Sequence, residues 1–494
     1  MGMHLAIDMG SESGRAVVGW LEGGVLKTDP IHRFRTQFTR VHGRDYRNLY
    51  RFNDDIQYAL SLYAEKYGPH LDSISVCSWG GDFSVLNRDG NLNHLPISYR
   101  SMNTVERTQP LIEAAFGERA LYERNGNQRM PCDPLRVLLR MKLDGDPSLD
   151  DPHGMLFVAD VMHYLLGAEA CCERSMPTFG RLYDFRKDAW DSEVFERFGL
   201  PKGLCTRVVA PGTHIGDVDP AILKAAGLEG PVPIVTTCTH DTVCALTAVP
   251  DSGSGWAFIS CGTWALMGLE TDAPVINDIS FENNFNNSSA PFGKTMFKRN
   301  MTGTWIIEQC KQRWGRYSYA EIVDLAEAAE ENDLSIDVNS QDFYDAADMP
   351  AAIAAALKRD FGAEVDPNDV PLISGVVYRS MALEFQRYLG ALLKAADRKI
   401  DRIYMLGGGS RNRLIAQYAA NACGYRVYTG VYEGSSVGNL LLQAYACGEL
   451  KDQEAIRRVS ADTFPQTAWE PKDADAWSRR FAVFAERVIR TNLW

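Results

Sequence analysis

An aspartate flanked by a histidine and a threonine stands where an apolar segment ends. Residues 232–239 read VPIVTTCT, a β-branched run typical of a buried strand, and His240, Asp241 and Thr242 follow directly. In open α/β sheets, ligands bind at the carboxyl ends of the strands, so Asp241 is a candidate catalytic base. The alternative is structural, because Asp and Thr at helix starts accept hydrogen bonds from unpaired N–H groups. This segment alone leaves both interpretations open.

Four short segments rich in glycine and hydroxyl residues follow predicted strands or open predicted helices. They are residues 10–14, 262–263, 407–410 and 434–438. Glycine lets a ligand approach the main chain closely, and successive N–H groups in such turns form anion-binding concavities. Together the turns predict a polyphosphate site, with Ser11, Ser13 and Thr263 adding hydroxyl donors and a purine near 407–410.

Asp8 stands at the entrance of the first of these turns, directly after the apolar run 5–7. A polyphosphate needs a divalent cation, and Mg²⁺ binds one or two carboxylates, with water and phosphate oxygens in its other positions. Asp8 is therefore the predicted metal ligand, although it can also serve only to hydrogen-bond the turn. His240 is interpreted as a hydrogen-bonding residue, because no partner ligands lie at a usable spacing for a metal.

The elements that must position these residues form a repeated pattern. Residues 5–24 read as a strand, a Gly/Ser turn and a second strand, whereas a dinucleotide-binding fingerprint needs a helix after its glycines. Residues 255–272 repeat the strand, turn and strand near the midpoint of the chain. A similarity at this long period predicts two duplicated domains, 1–250 and 251–494, which face each other across a cleft.

Between and after these openings, strand and helix patterns alternate, as in α/β proteins with mixed sheets. Residues 52–68 predict an amphipathic helix with an acidic first turn, and 71–92 predict two strands followed by a turn at Asp89-Gly90. The remaining predictions are a long helix at 376–396, a strand, triple-Gly loop and helix at 402–424 capped by Ser410 or Asn412, and a helix within 433–448.

Bulk properties exclude several classes of protein. A chain of 494 residues is too long for one core, and its net charge of −13 argues against a nucleic-acid partner. No basic and apolar leader and no membrane-length apolar run occur. The 11 cysteines lack CxxC and zinc spacings, which predicts reduced thiols in a cytoplasmic protein. The oligomeric state cannot be read from the sequence.

Six motifs, in order along almost the whole chain, resemble those of the FGGY carbohydrate kinases. They are DMGSESGR at 8–15, SWGGDF at 78–83, HDT at 240–242, SCGTWALMG at 260–268, KRNMTGTWIIEQC at 298–310 and LGGGSRN at 406–412. The resemblance implies a duplicated α/β fold of the actin, hexokinase and Hsp70 type, which is ribonuclease H-like. It also implies transfer of the γ-phosphoryl group of ATP to a primary hydroxyl of a ketose, with O1 of L-rhamnulose as the first expectation.

The same resemblance implies roles for the matched residues. It implies ATP contacts from Ser11, Glu12, Ser13, Gly14, Arg15, Thr263, Glu308, Gly407, Gly408 and Gly409, and sugar contacts from Gly81, Asp82, His240, Asp241, Thr242 and Asn300. Asp241 would take the proton of the sugar hydroxyl, and Asp8 would bind Mg²⁺. An ordinary Asp pKa of about 3.9 would keep that base ionised at neutral pH. Glu308 stands where the family usually has Gln.

Three segments depart from the family pattern on the expected sugar side. Residues 101–103 are Ser-Met-Asn where Asp-Ser-Arg is usual, 128–136 lack Phe-Asn-Thr-Leu, and 283–291 lack Thr-Asn-Glu-Gly-Gly. Alternative acceptors are therefore L-fuculose, L-ribulose and xylulose, and Trp79 is a candidate for stacking against the sugar. A different class of function is a non-catalytic sugar sensor or an actin-like assembling ATPase, against which the presence of Asp241 argues.

Overall fold

A computed structural model describes residues 2–36, 38–42, 44–98, 104–329, 331–344 and 346–489. The strands in these ranges are His4–Met9 (β1), Ser13–Glu22 (β2), Val25–Arg35 (β3), Phe38–Val41 (β4), Arg44–Arg47 (β5), Ser73–Ser78 (β6), Phe83–Val85 (β7), Met155–Phe157 (β8), Cys171–Glu173 (β9), Tyr183–Asp184 (β10), Ala189–Trp190 (β11), Arg207–Val209 (β12), Thr213–Asp217 (β13), Pro233–Thr236 (β14), Trp256–Cys261 (β15), Trp264–Thr271 (β16), Asn286–Ser289 (β17), Thr295–Thr302 (β18), Arg402–Leu406 (β19), Arg426–Thr429 (β20) and Thr467–Trp469 (β21).

The α-helices in the same ranges alternate with these strands. They are Leu49–Tyr67 (α1), Val105–Ala115 (α2), Glu118–Asn125 (α3), Pro134–Leu143 (α4), Val158–Leu166 (α5), Ser192–Arg197 (α6), Pro220–Ala226 (α7), Asp241–Thr247 (α8), Asp278–Glu282 (α9), Trp305–Trp314 (α10), Tyr319–Glu327 (α11), Met349–Phe361 (α12), Val370–Ala396 (α13), Arg413–Cys423 (α14), Gly434–Ala446 (α15), Gln453–Thr463 (α16) and Ala474–Arg487 (α17).

Two large sheets share one topology. The first has the order β13-β14-β6-β1-β2-β3, and the second has the order β21-β20-β19-β15-β16-β18, with β17 added at its edge. In each, a central strand pairs antiparallel with the strand that follows it (β1 with β2, β15 with β16). The same central strand pairs parallel with a strand after a crossover (β1 with β6, β15 with β19). The duplicated α/β fold is therefore confirmed, whereas the boundary at residue 250 stays a prediction.

A shared core joins the two halves behind the sheets. It contains Ala6 and Val17 of the first sheet, Phe258 of the second sheet, and the apolar faces of α8 and α15. The helices approach closely, because a Cβ at Gly438 of α15 would lie 1.8 Å from the carbonyl oxygen of Cys244. A glycine is required at this contact. The first turn of α8, which carries Asp241, is thereby fixed against the start of α15.

Most local predictions agree with the structure, and one is wrong. Both predicted hairpins form, and Gly90 takes a φ of 78° in the turn after β7. The helix predicted at 52–68 begins earlier, at Leu49, because the Asn48 side chain accepts a hydrogen bond from the N–H of Arg51. No acidic residue therefore lies in its first turn. Asn412 is the observed cap of α14, where it accepts from the N–H groups of the second and third helical residues.

Two predictions from composition, reduced cysteines and no membrane-spanning segment, can be compared with the structure of the described residues. The eleven cysteines all lie within them as free thiols, most of them buried. No helix in these ranges combines the length and the apolar character needed to cross a membrane.

Candidate active site

One cleft between the two sheets, about 350 Å³ in volume, collects the segments singled out in the sequence. The four Gly/hydroxyl turns contribute Gly10 to Ser13, Gly262 and Thr263, Gly407 and Gly408, and Gly434 and Ser435. Three of these turns follow the carboxyl ends of β1, β15 and β19, where ligands bind in open α/β sheets. Residues 240–242 line the same cleft.

Asp241 is the first residue of α8, and its carboxylate is held from one side. Its Oδ1 accepts hydrogen bonds from the N–H of Thr242 at 2.6 Å and from the Thr242 hydroxyl at 3.1 Å. His240, and not Asp241, occupies the N-cap position, and it forms no side-chain capping bond. Asp241 still accepts from a first-turn N–H of α8, as the structural alternative expected, and this bond leaves a catalytic role possible as well. Oδ2 has no hydrogen-bond partner in the described residues, and the side chain is 28% exposed to the cleft.

The environment of Asp241 changes its protonation. Burial, together with the nearby charge of Asp8, raises the pKa of the Asp241 carboxyl to about 7. The expectation of an ordinary Asp pKa is therefore wrong. A general base works best with a pKa near the operating pH, since it then combines sufficient basicity with a populated ionised form. The carboxylate thus has the position and the proton affinity of a base.

A buried carboxylate, Glu173 at the end of β9, fixes the segment that carries Asp241. Its Oε2 accepts from the N–H of Thr239 at 2.8 Å and from the Thr239 hydroxyl at 3.2 Å. The same carboxylate binds the hydroxyl of Ser175, whose oxygen accepts from the N–H of His240 at 3.2 Å. Sequence reasoning missed Glu173, because it lies 66 positions from Thr239 and no local motif links them.

Asp8 lies at the end of β1, where its carboxylate faces the cleft. Its Oδ2 accepts a 2.9 Å hydrogen bond from the hydroxyl of Ser436 on α15 and lies 3.6 Å from Nε of Arg15. Arg15 also forms an ion pair with Glu433, the residue before α15. These contacts join the first turn of one half to the fourth turn of the other.

The carboxylates of the cleft could bind a cation whose other ligands are phosphate oxygens. The described residues contain no group of three His, Cys, Asp or Glu side chains that could hold a metal ion alone. Asp8 and Asp241 both line the cleft, and Mg²⁺ in phosphate sites uses only one or two carboxylates. The donor set therefore fits Mg²⁺ bound together with a polyphosphate, with Asp8 as the candidate ligand.

The structure brings together most of the predicted nucleotide contacts but leaves three outside the cleft lining. Ser11, Glu12, Ser13, Arg15, Thr263, Gly407 and Gly408 line the cleft. Gly14 instead faces Phe34, whose ring a Cβ would approach to 2.3 Å, and Gly409 packs against Cys261. Glu308 is the fourth residue of α10, with its carboxylate 3.4 Å from Nε2 of Gln312.

The predicted sugar contacts divide in the same way. His240, Thr242, Asn300 and Trp79 line the cleft, whereas Gly81 and Asp82 line a separate small cavity. Asp82 supports the cleft wall from behind, because it accepts from Nε1 of Trp79 at 2.8 Å and ion-pairs with Arg47 at 3.3 Å.

Gly80, next to Gly81, is the glycine that faces the cleft. A Cβ at Gly80 would lie 2.9 Å from the His240 ring, so glycine is needed there for the close approach. The sugar contact that the family resemblance implies for the neighbouring Gly81 stays a prediction.

His240 is held as a neutral ring. Burial, together with the charge of Lys298, lowers the pKa of His240 well below its usual value. Its ring packs 5.5 Å from that of Phe179, and Nδ1 lies 3.9 Å from Oδ1 of Asp241. A neutral imidazole at this position can donate a hydrogen bond to a bound hydroxyl or accept one from it.

Comparison with known proteins agrees with this geometry. The model of the FGGY family of carbohydrate kinases, N-terminal domain, matches residues 3–248, and that of the C-terminal domain matches residues 257–447. The chain belongs to the FGGY family of carbohydrate kinases. It is therefore a sugar kinase, a phosphotransferase that phosphorylates sugars at the expense of ATP.

Relatives of this kinase cover nearly its full length. A rhamnulokinase of Bacteroides thetaiotaomicron is 32% identical over 484 residues, which cover 98% of this chain and 99% of that protein. Among solved structures, a ligand-bound xylulose kinase and a gluconate kinase, both of Lactobacillus acidophilus, each superpose with a TM-score of 0.80 at 14% identity. Each superposition covers 98% of this chain and 97% of that chain, which shows a shared fold.

Proposed function

We propose that this kinase transfers the γ-phosphoryl group of ATP to O1 of L-rhamnulose, with Asp241 as the general base. The observation that carries the proposal is the Asp241 carboxylate, which lines the cleft with an Oδ2 that has no partner among the described residues and with a pKa of about 7. Similarity to rhamnulokinases at 27% to 32% identity over nearly the whole chain supports the choice of acceptor.

The base performs a single proton transfer. Oδ2 of Asp241 accepts the proton of the O1 hydroxyl as the sugar oxygen forms a bond to the γ-phosphorus. At the same time, the bond between that phosphorus and the β,γ-bridging oxygen of ATP breaks. ADP leaves with the electron pair of the broken bond. Phosphoryl transfer of this kind depends mainly on positioning and charge. Thr242 donates twice to Oδ1, which orients the carboxylate and leaves Oδ2 to accept the proton.

The Gly/hydroxyl turns are proposed to bind the phosphates of ATP. The turns Gly10 to Ser13 and Gly262 to Thr263 line the cleft from opposite sheets, and Arg15 adds a positive charge there. The N–H groups of Gly10 and Gly262 already donate to carbonyl oxygens within their own turns, so the remaining N–H groups and the hydroxyls are the candidate donors. Mg²⁺ bound with ATP neutralises phosphate charge, and Asp8 is the side chain that would hold it. Contacts from Gly14, Gly409 and Glu308 stay predictions from the family resemblance.

The segments that depart from the family pattern make L-rhamnulose a first expectation rather than a fixed assignment. Hydrogen bonds join the departing segments 128–136 and 283–291: the N–H of Arg129 donates to Oδ1 of Asn284 at 2.7 Å, and the adjacent Asn127 donates to Oδ1 of Asn286 at 3.0 Å. Met130 and Cys132 of the segment 128–136 line the cleft. Residues 101–103 lie outside the described residues. L-fuculose, L-ribulose and xylulose remain alternative acceptors on these grounds.

A coupled ADP-release screen over ketoses, polyols and aldonates tests the proposal. We expect ATP consumption that depends on added ketose, with the highest kcat/KM for L-rhamnulose, and a product phosphorylated at O1. Phosphorylation of glycerol or an aldose with no ketose activity would contradict the ketose assignment. ATP consumption that follows protein assembly instead of added sugar would favour the actin-like alternative.

A further inference from the structure

A glutamine of the first half, Gln128, hydrogen-bonds the main chain of a residue of the second half, Asn300 on β18. Its Nε2 donates to the carbonyl oxygen of Asn300 at 3.3 Å, and its Oε1 accepts from the Asn300 N–H at 3.1 Å. The two residues are 172 positions apart, and Gln128 is only 4% exposed. Because buried amide groups are costly to leave unpaired, this two-bond contact fixes the main chain at Asn300.

The strand register explains why Asn300 takes a side chain as its partner. The paired part of β17 ends at Asn286, which lies opposite Lys298 of β18. The chain bends sharply at Asn284, just before this strand, with a φ of 53°. Asn300 lies beyond the last pair, where the edge of β18 has no β17 residue opposite it. The Gln128 amide therefore satisfies main-chain groups that a neighbouring strand would otherwise pair.

The segment that carries Gln128 also contacts the side chain of Asn300. Sδ of Met130 lies 3.2 Å from Nδ2 of Asn300, so residues 128–130 contact both its main chain and its side chain. Asn300 and Met130 line the cleft, whereas Gln128 lines a smaller adjoining cavity of about 40 Å³. Gln128 is therefore outside the cleft lining and can act on the cleft only through its neighbours.

Further hydrogen bonds between the two halves surround this contact. The N–H of Asn287 donates to the carbonyl oxygen of Gly126 at 3.0 Å, and the N–H of Ser289 donates to Oγ1 of Thr178 at 2.9 Å. These bonds hold the segment before Gln128 against β17. The position of Gln128 is thus set by the contact between the halves.

We propose that Gln128 positions Asn300 for the acceptor from the opposite half of the molecule, so that acceptor affinity depends on this contact between the halves. The inference rests on the proposed function, in which Asn300 contacts the sugar. Gln128 is a positioning residue and takes no part in the proton transfer. The residues expected to bind the phosphates of ATP lie in the Gly/hydroxyl turns, so nucleotide affinity should depend little on Gln128.

Gln128→Met keeps the length of the side chain and removes both hydrogen bonds to Asn300. With the best acceptor of the screen, we expect the acceptor KM to rise about 10-fold, as for the loss of one or two buried hydrogen bonds. The acceptor Kd, measured by calorimetry without ATP, should rise by the same factor. The Kd for ADP, and kcat at saturating acceptor, should stay within about 3-fold of the wild-type values.

A double-variant cycle tests whether Gln128 acts through Asn300. Asn300→Ala removes the side chain that Gln128 is proposed to position. In that background, Gln128→Met should change the acceptor Kd by less than about 2-fold, because two residues that act as one unit do not have additive effects. An effect that is independent of Asn300 would appear equally in both backgrounds.

Two further variants complete the experiment. Gln128→Asn keeps an amide in the interface but shortens its reach by one methylene, so it provides a more conservative test and should also raise the acceptor Kd. Gln341→Met is the matched control, because Gln341 is exposed and is adjacent to Ser340, which lines the same small cavity as Gln128. Its acceptor Kd should equal that of the wild type.

Two results would overturn the inference. An unchanged acceptor Kd in both Gln128 variants would mean that Asn300 keeps its position without this contact, and the proposed function would stand. Equal losses of affinity for acceptor and ADP, or the same loss with and without the Asn300 side chain, would mean a general structural role. The proposed function fails separately, if the screen finds no phosphorylated ketose, and the Gln128 variants are then compared on the acceptor that is phosphorylated.

Discussion

The hydroxyl of Ser436 donates a 2.9 Å hydrogen bond to Oδ2 of Asp8, across 428 positions of the chain. This bond joins the end of the central strand of the first sheet to the first turn of α15, the helix that follows β20 of the second sheet. It orients the carboxylate at the point where both halves border the cleft. Asp8 therefore has a fixed direction before any phosphate or cation binds.

Asp8→Ala should raise the Mg²⁺ concentration needed for half-maximal activity, because Asp8 is the candidate protein ligand of the cation. Ser436→Ala should change the same quantity by less, since it removes only the hydrogen bond that orients the carboxylate. Initial rates measured at saturating sugar over a Mg²⁺ series check both expectations. A fall in sugar affinity at unchanged Mg²⁺ dependence would instead assign Asp8 to the sugar.

The acid side of the pH–rate profile should report Asp241. Because the pKa of Asp241 is raised to about 7, the base is increasingly protonated below neutral pH. We expect kcat/KM to fall about tenfold for each pH unit below that value. Measurement of kcat/KM from pH 5 to 9, with both ATP and sugar below saturation so that the profile reports the free enzyme, checks this. A rate that stays constant down to pH 5 would be inconsistent with a base of raised pKa.

The same pKa predicts a pH-dependent stability difference. Folded Asp241 holds its proton up to about pH 7, whereas the unfolded carboxyl loses it near pH 4, so this group destabilises the folded state as pH rises through that interval. Asp241→Asn should therefore have a higher Tm than the wild type at pH 8, and the difference should shrink at pH 5. Calorimetric scans at both pH values measure it, and a lower Tm at pH 8 would contradict the shift.

Glu173→Gln should slow turnover, although Glu173 itself does not line the cleft. The amide still accepts a hydrogen bond but carries no charge, so its bonds to Ser175 and to Thr239 weaken and the segment carrying Asp241 loosens. We expect kcat to fall about 10-fold, as for the loss of one charged hydrogen bond, with little change in the ATP KM. Glu169→Gln is the control, because Glu169 is exposed and its carboxylate pairs with Arg207 alone among the described residues. Equal kcat values for the two variants would exclude the positioning role.

The local sequence pattern was sufficient to predict those parts of the fold and of the site that depend on residues close together in the chain. The hairpins around 10–13 and 262–263 and the turn at 407–410 follow from strand, glycine and hydroxyl spacing, and the structure brings them into one cleft. The HDT segment likewise lies after an apolar strand and at the start of a helix, as the sequence predicted.

What sequence reasoning missed depends on contacts between distant segments. Glu173, Ser436 and Gln128 act on residues from other elements, and no local spacing links them. The raised pKa of Asp241 needs the charge of Asp8 from another strand, so composition and spacing do not reveal it. The glycines of these turns are also there for two different reasons. Gly14 leaves room for the Phe34 ring, whereas Gly10 borders the cleft.

The turnover of Asp241→Asn on L-rhamnulose measures the proposed base most directly. Asn keeps the shape of the side chain and can still accept from Thr242, so folding and ATP binding should be retained. Because the amide cannot take up the hydroxyl proton, kcat should fall about 10²-fold to 10⁴-fold. Nucleotide titration and a thermal melt serve as controls for ATP binding and folding. Turnover at the wild-type rate would contradict the assignment of Asp241 as the base.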